Sequence, residues 1–246
     1  MAEKKKHKIV AAETQEEVTP KKKTESGKTV KDAKPVGNAK GLRIGAIIFW
    51  VFAVAFEVLG IMVLIGKLSM SFMPTMYQLI AFIVLDLICV IVGAQFWKKA
   101  NHIDPVSEKN KAKFWLWNNM GVIVCVIAFV PYIVLLLKDK DLDKKTKTIA
   151  VVAALIALLI GGVSSYDFNP VSEEQKTDAV QTFGDESVYW APFGRVYHTH
   201  EDCQSLNQTD TLTTGTVEQA IAANRSRLCS FCAREDNITT VATEGD

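Results

Sequence analysis

The sequence predicts an all-α membrane region of four transmembrane helices followed by a small α+β module. Four long apolar segments lie between residues 44 and 166, and strand-like patterns appear only beyond them. Charge is divided just as unevenly: residues 1–43 carry twelve Lys and Arg against six acids, whereas residues 164–246 carry five against fourteen. A basic head, an apolar middle and an acidic tail indicate three regions in different surroundings.

Residues 1–43 are rich in Lys, Glu, Thr and Ala and contain few large apolar side chains. Such a segment cannot bury enough apolar surface to offset the entropy of ordering, so we expect a disordered basic tail. Its lysine clusters could touch anionic lipid or nucleic acid. We favour a solvated tail that helps to set membrane orientation.

The four apolar segments each match the ~20 residues that an α-helix needs to cross the hydrocarbon core. Aromatic residues stand beside lysines at their ends, as at Trp97 and Lys98, and this pairing is typical of membrane-interface anchors. The predicted transmembrane helices are 44–65, 76–97, 114–137 and 148–166.

Within these segments, four residues are energetically out of place: Glu57, Asp86, Asn118 and Asn119. An acid near the bilayer centre costs about 3 kcal/mol on insertion scales, so intramembrane acids are candidate functional residues. The alternative is that they are protonated or hydrogen-bonded to neighbouring helices and fix packing. Four spans, interrupted only by Pro131 and without a visible internal repeat, give little support to a transport path, and we favour packing.

The polar C-terminal region is predicted in three parts. Residues 167–187 are acidic and indicate a linker with at most a short helical turn, residues 188–236 form the α+β module, and residues 237–246 form a disordered tail. Within the module, extended segments flank a Pro-Phe-Gly turn, which indicates a hairpin. Thr216 and Gln219 have the spacing of a capping box and mark the start of a helix.

Three cysteines and two histidines lie close together in this module, in VYHTHEDC (residues 196–203) and RLCSFC (residues 227–232). The two-residue gap between Cys229 and Cys232 lets both thiolates reach one metal ion, and Cys203 with a histidine would complete four ligands. Soft sulfur ligands favour zinc over magnesium or calcium, although iron could occupy the same shell. A module of about 50 residues with a small core needs such a metal in order to fold.

The run VYHTHEDC, a threonine-rich stretch and TVEQAIAANRSRLCSFC together resemble the zinc-binding domain of the Ada DNA-repair methyltransferase and related small bacterial modules. The resemblance covers residues 188–234 and does not extend to the membrane region. It implies that His198 stands where the repair protein has its methyl-accepting cysteine. A zinc-bound imidazole is not a thiolate nucleophile, and an acidic module opposes DNA phosphate, so methyl transfer and nucleic-acid binding are not expected.

His198 and His200 both remain candidates for the histidine ligand. They alternate along a predicted strand, so their side chains would share a face. The spacing to Cys203 is one residue too long from His198 and one too short from His200 relative to the family, and the preceding Val-Tyr pair favours His198. The predicted zinc ligands are His198, Cys203, Cys229 and Cys232, with His200 as the alternative.

Four protein ligands leave no open coordination position, so the expected zinc is structural and the chain is not expected to be an enzyme. We expect an integral membrane protein whose module binds an unidentified protein or ligand. The alternatives are a membrane-linked metal or redox sensor and a small transporter that uses Glu57 and Asp86, while a zinc enzyme is less favoured.

Membrane orientation rests on two arguments that disagree. The basic head and residues 98–113 carry 17 Lys and Arg against six in the two other loops, which places the N-terminus in the cytoplasm of a plasma-membrane protein. The lysine-rich loop 138–147 opposes this pattern, because it lies outside if all four helices span. We follow the parity of four spans, which puts the module in the cytoplasm, where thiolates persist.

Overall fold

The computed structural model describes residues 8–11 and 37–238 and divides the chain into two compact units. The helical unit comprises residues 39–100 and 111–168. The polar unit is assembled from separated stretches of chain, of which the described ones are 8–11, 37–38, 101–110 and 169–238.

Five helices build the membrane region, and four of them are long and apolar enough to cross a bilayer. This confirms the prediction of four membrane-length apolar helices. Many large apolar side chains are exposed on them, including Val51 and Leu159, as expected where the surrounding solvent is lipid and not water. The helices are α1 (Ala39–Leu64), α2 (Thr75–Ile103), α3 (Lys111–Asn118), α4 (Met120–Lys138) and α5 (Lys144–Ser165), with α3 the one too short to span.

The predicted third span, 114–137, is covered by α3 and α4, which are separated only by Asn119. The amide of Asn119 still donates to the Trp115 carbonyl and that of Ile123 to the Asn119 carbonyl, each at 3.0 Å, so helical hydrogen bonding runs across this residue, and α4 continues through Pro131. The side-chain amides of Asn118 and Asn119 donate to the carbonyl oxygens of Phe114 and Trp115, one turn back, at 3.1 and 2.9 Å. Asparagine side chains that bond to nearby backbone compete with regular helix, in keeping with the local irregularity at Asn119.

Small residues allow close packing between the membrane helices. A Cβ added at Gly161 of α5 would lie 2.7 Å from the Cys125 sulfur of α4, whereas one added at Gly162 would meet nothing within 4 Å. Cys125 is completely buried here, and Cys89 of α2 is buried as well. Both thiols therefore pack as small apolar side chains within the helical unit.

The described residues of the polar unit form two small sheets and three helices. The first sheet has the order β1 (Lys8–Ala11), β4 (Thr211–Gly215), β2 (Val188–Trp190), with β1 parallel and β2 antiparallel to β4. The second pairs β3 (Val196–Tyr197) in parallel with β5 (Arg227–Leu228). The helices are α6 (Glu173–Phe183), α7 (Val217–Ala222) and α8 (Ser230–Glu235), and a 3-10 turn covers Gln204–Leu206.

The N-terminal 43 residues are not entirely disordered as predicted. Residues 8–11 form β1, which hydrogen-bonds to the exposed edge of β4, and α1 already begins at Ala39. Ile9 and Val10 are β-branched residues that favour strands, but the run is only four residues long within a polar segment, so composition did not indicate β1. The rest of the predicted tail, residues 1–7 and 12–36, lies outside the described residues.

The predicted acidic linker, 167–187, is mostly the helix α6. Ser172 caps it through a capping box with Gln175, and two acids occupy its first turn. Val171 and Phe183, at either end of the helix, join the buried core of the polar unit, at 2% and 6% exposure. The helix therefore belongs to the module, because it supplies part of the core that the module needs.

The C-terminal boundary also differs from the prediction. Asn237 takes a left-handed backbone conformation (φ 53°), and the chain then folds back so that the amide of Ile238 donates to the Ala233 carbonyl at 2.8 Å. Ile238 packs against the core, so the module extends beyond residue 236. Residues 239–246 of the predicted tail lie outside the described residues.

Candidate metal centre

His198 is placed by pairing between the two sheets. It directly follows β3 and exchanges two backbone hydrogen bonds with Tyr189 of β2, at 2.7 and 2.8 Å. This bridge fixes the backbone on both sides of the imidazole, which is 3% exposed. The protein fold alone therefore holds His198 inside the polar unit.

Cys203 begins the 3-10 turn that follows. The amide of Leu206 donates to the Cys203 carbonyl at 2.9 Å, and Leu206 anchors the turn in the core at 2% exposure. The Cys203 sulfur is 3.3 Å from the hydroxyl of Ser205. The turn thus aims a buried thiol, 4% exposed, toward the interior of the unit.

Cys229 and Cys232 lie at the start of α8. The amide of Cys229 donates to the Tyr197 carbonyl at 2.9 Å, which extends the β3–β5 pairing up to the helix. Cys229 is the N-cap residue and Cys232 lies in the first turn, where it is completely buried. A two-residue gap at a helix start brings both sulfurs to the same side, as metal-binding knuckles require.

The structure brings His198, Cys203, Cys229 and Cys232 together in one buried group, with every pair of ligand atoms within 4.8 Å. The sulfurs of Cys203 and Cys229 are 3.9 Å apart, and the Cys232 sulfur is 3.8 Å from His198 Nδ1. All three cysteines are free. A tetrahedral ion with metal–sulfur bonds of ~2.3 Å has sulfur–sulfur edges of about 3.8 Å, so these two distances are close to those that a bound metal ion requires.

The pKa values in this group are shifted in different directions: those of His198 and Cys229 suit a metal ligand, whereas that of Cys232 requires the metal to displace a proton. Burial lowers the pKa of His198 to about 4, so its imidazole is neutral and can donate an electron pair. Burial raises the pKa of the Cys232 thiol to about 11. At Cys229 burial also acts to raise the pKa, but hydrogen bonds from Ser205 and from the amides of Phe231 and Cys232 outweigh it, and the pKa lies below its usual value.

His200 lies outside this group. The strand that would have placed both imidazoles on one face ends at Tyr197, and His200 Nε2 is instead 2.8 Å from Asp236 Oδ1. The hydroxyl of Thr199 donates to the other oxygen of the same carboxylate. Asp236 is the C-cap residue of α8, so these bonds fasten the His198 loop to the helix that carries Cys232.

The sequence interpretation missed two supporting residues. Ser205 reaches both the Cys203 and Cys229 sulfurs, at 3.3 and 3.5 Å, and Asp236 joins the loop to α8. Ser205 lies two residues after a ligand, so its proximity to one sulfur was readable from the sequence. Its contact with Cys229 depends on the fold.

The other polar candidates lie in the helical unit. Asn118 and Asn119 bond to their own helix, as described above. Glu57 and Asp86 line a common small cavity between α1, α2 and α4.

Comparison of the chain with known protein families, curated proteins and solved structures found no match. The resemblance to the Ada zinc-binding domain is therefore unsupported by any family match. What stands is the arrangement itself: four apolar helices of membrane length, and a buried group of one histidine and three cysteines that could hold a metal ion.

Proposed function

We propose that the chain is an integral membrane protein whose polar unit is folded around one structural zinc ion and serves as a binding module. The observation that carries this proposal is the convergence of His198, Cys203, Cys229 and Cys232 on one point. Three thiolates and an imidazole form a standard zinc shell, and their softness disfavours magnesium and calcium.

A structural role is favoured over catalysis. Catalytic zinc keeps one position open for water or substrate, whereas four protein ligands close the shell. All four residues are at most 4% exposed, so a substrate would not reach the ion. The same burial disfavours a redox sensor, because oxidation of cysteine depends on exposure.

A binding role is favoured because the surface of the polar unit offers recesses away from the metal. One cleft of about 490 Å³ is lined by Lys176, Glu218 and parts of the 101–110 loop, and a second of about 230 Å³ lies beside Phe183 and Arg227. At the turn after β2, Phe193 is completely exposed. These features suit recognition of a partner whose identity we leave open.

The cytoplasmic side is favoured for this module. Strand β1 near the N-terminus, the 101–110 loop and residues 169–238 belong to the same unit. Within it, Lys176 Nζ donates to the Ile103 carbonyl at 2.8 Å, and the Glu108 amide donates to Glu174 at 3.0 Å. Segments of one compact unit lie on one side of a bilayer, which agrees with four spans, and the basic N-terminus points to the cytoplasm.

Metal analysis of the full-length protein purified in detergent tests whether the chain binds zinc. We expect one zinc per chain, and we expect chelation to unfold the polar unit because binding free energy here is folding free energy. A folded, metal-free polar unit would contradict the proposal.

Labelling of intact cells with a membrane-impermeant maleimide tests on which side of the membrane the polar unit lies. In a background of Cys89→Ala and Cys125→Ala, we expect Phe193→Cys to react only after lysis. Lys140→Cys, in the loop on the opposite side by parity, is the matched control and should react in intact cells. The reverse pattern would place the module outside.

A further inference from the structure

Two carboxyl groups and a phenol hydroxyl meet at a small cavity inside the helical unit. Glu57 of α1, Asp86 of α2 and Tyr132 of α4 line it. The cavity measures about 10 Å³. A single water molecule needs roughly 10–15 Å³, so the cavity has room for one occupant of about that size.

Two of the polar side chains at this cavity are buried without a partner. Asp86 and Tyr132 are 4% and 3% exposed, and among the described residues neither Asp86 Oδ1 nor the Tyr132 hydroxyl has a hydrogen-bond partner. Buried polar atoms are nearly always paired, so two such atoms beside one cavity indicate an occupant that supplies the missing contacts.

Gly60 allows Tyr132 to come this close to α1. A Cβ added at Gly60 would lie 3.3 Å from the Tyr132 hydroxyl and 3.4 Å from the Cβ of Phe82. The glycine thus leaves space for a hydroxyl where a side chain would crowd it. The close approach places an oxygen of α4 one helical turn from Glu57.

The groups facing this cavity have acidic character. Glu57 is the charged neighbour of Asp86, and the thiols of Cys89 and Cys125 and the hydroxyl of Tyr132 lie within electrostatic range of Asp86. None of the described residues that line the cavity is a lysine, arginine or histidine. Two carboxylates in a membrane interior cannot both stay ionised without a compensating positive charge.

We propose that this cavity is a binding site for one small monovalent cation, H⁺ or Na⁺, held by the carboxyl groups of Glu57 and Asp86 and the hydroxyl of Tyr132. Divalent ions fit less well, since Ca²⁺ takes about six to eight oxygen ligands and Mg²⁺ retains several waters. The cavity offers three oxygen-bearing side chains and no room for waters beside the ion. This site shares no residue with the proposed zinc centre, and the proposal does not depend on zinc binding.

Reaction with dicyclohexylcarbodiimide, which enters membranes and attacks protonated carboxyl groups, tests the site on the full-length protein in proteoliposomes. Mass spectrometry locates the label. We expect labelling at Glu57 or Asp86 that falls as pH rises. Replacing choline chloride by sodium chloride at constant pH and ionic strength separates the two cations: protection by Na⁺ assigns Na⁺, and pH dependence without Na⁺ protection assigns H⁺. Absent labelling, or labelling that neither pH nor Na⁺ changes, would overturn the proposal.

Variants with matched shape make the assignment specific. Glu57→Gln with Asp86→Asn should abolish labelling in these helices, while unchanged zinc content and gel-filtration behaviour show that the protein is folded. Tyr132→Phe should raise, about tenfold, the Na⁺ concentration that gives half-maximal protection or, if H⁺ is the occupant, the proton concentration that gives half-maximal labelling. This is the effect of losing one hydrogen-bonding contact to a charged group. An unchanged midpoint in Tyr132→Phe would remove the hydroxyl from the site and contradict the three-ligand geometry.

Discussion

The cysteines of the two units are all buried, yet they have different surroundings. Cys89 and Cys125 lie singly among apolar side chains of the membrane helices, and the Cys125 thiol donates only to the Leu158 carbonyl, at 3.7 Å. Cys203, Cys229 and Cys232 converge with His198 in the polar unit. Burial alone therefore does not distinguish a packing thiol from a ligand. Convergence with other soft donors does.

The two units also differ in what holds them together. The helical unit leaves large apolar side chains exposed, as expected of helices in lipid, and its packing relies on small residues such as Gly161. The polar unit faces water with a small core drawn from separated parts of the chain. A metal at the centre of such a core joins its loops, which is why its removal should affect only one of the two units.

The largest expected difference between the two sets of cysteines is in metal binding. Cys232→Ser should lower zinc affinity by more than the 10- to 100-fold that loss of an outer-shell partner typically costs, and should unfold the polar unit. Cys125→Ser is the matched control and should leave one zinc per chain, since its sulfur lies in the helical unit. Zinc content measured after gel filtration checks both. Equal zinc loss in the two variants would contradict the distinction.

Substitutions of the two histidines should also differ in their effect on zinc binding. His198→Ala should strongly reduce zinc affinity, because it removes a ligand. His200→Ala should retain one zinc per chain and lower stability by about 0.5–1.5 kcal/mol, because it removes one partly exposed hydrogen bond to Asp236. Zinc titration and thermal unfolding distinguish the outcomes. Strong zinc loss in both variants would mean that both imidazoles share the ion.

A third prediction concerns the segment interpreted as a linker. Phe183→Ala should destabilise the polar unit by about 3–5 kcal/mol, because the ring lies in the core and packs edge-on against Tyr197 with centroids 5.8 Å apart. Glu186→Ala, at an exposed position beyond α6, should change stability little. The stability of the polar unit in both variants is measured by its unfolding with increasing chelator concentration. A neutral Phe183→Ala would restore the linker interpretation.

The smallest expected effect is in the helical unit. Gly161→Ala should destabilise the α4–α5 packing by about 1–3 kcal/mol through overpacking against Cys125. Gly162→Ala faces open space and should be neutral or slightly stabilising, since alanine is the better helix former. Thermal aggregation in detergent compares the two, and zinc content should be unchanged in both. A more stable Gly161→Ala would show that the packing is looser than described.

Much of this architecture was predictable because its signals are local. Runs of about 20 apolar residues identify membrane-length helices, and a Cys-x-x-Cys pair close to a further cysteine and a histidine identifies a metal site. The Thr216–Gln219 capping box was read correctly from its spacing and is present in the structure. The equivalent signal for α6, Ser172 three residues before Gln175, was present but was outweighed by the acidic composition of the segment.

The remaining features depend on contacts between distant parts of the chain. Strand β1 pairs through backbone atoms with a strand about 200 residues later, and local composition does not identify that partner. The different positions of His198 and His200 depend on where β3 ends and on Asp236, neither of which spacing could reveal. The proximity of Glu57 to Asp86 required the packing of α1 against α2.

X-ray absorption at the zinc edge of the full-length protein tests the central claim most directly, because it counts the ligands of the bound metal. The account predicts three sulfurs at ~2.3 Å and one nitrogen at ~2.0 Å, with no oxygen ligand. In His198→Ala the nitrogen should disappear, and in His200→Ala the spectrum should be unchanged. A shell with fewer than three sulfurs, or with a water oxygen, would contradict a closed structural site.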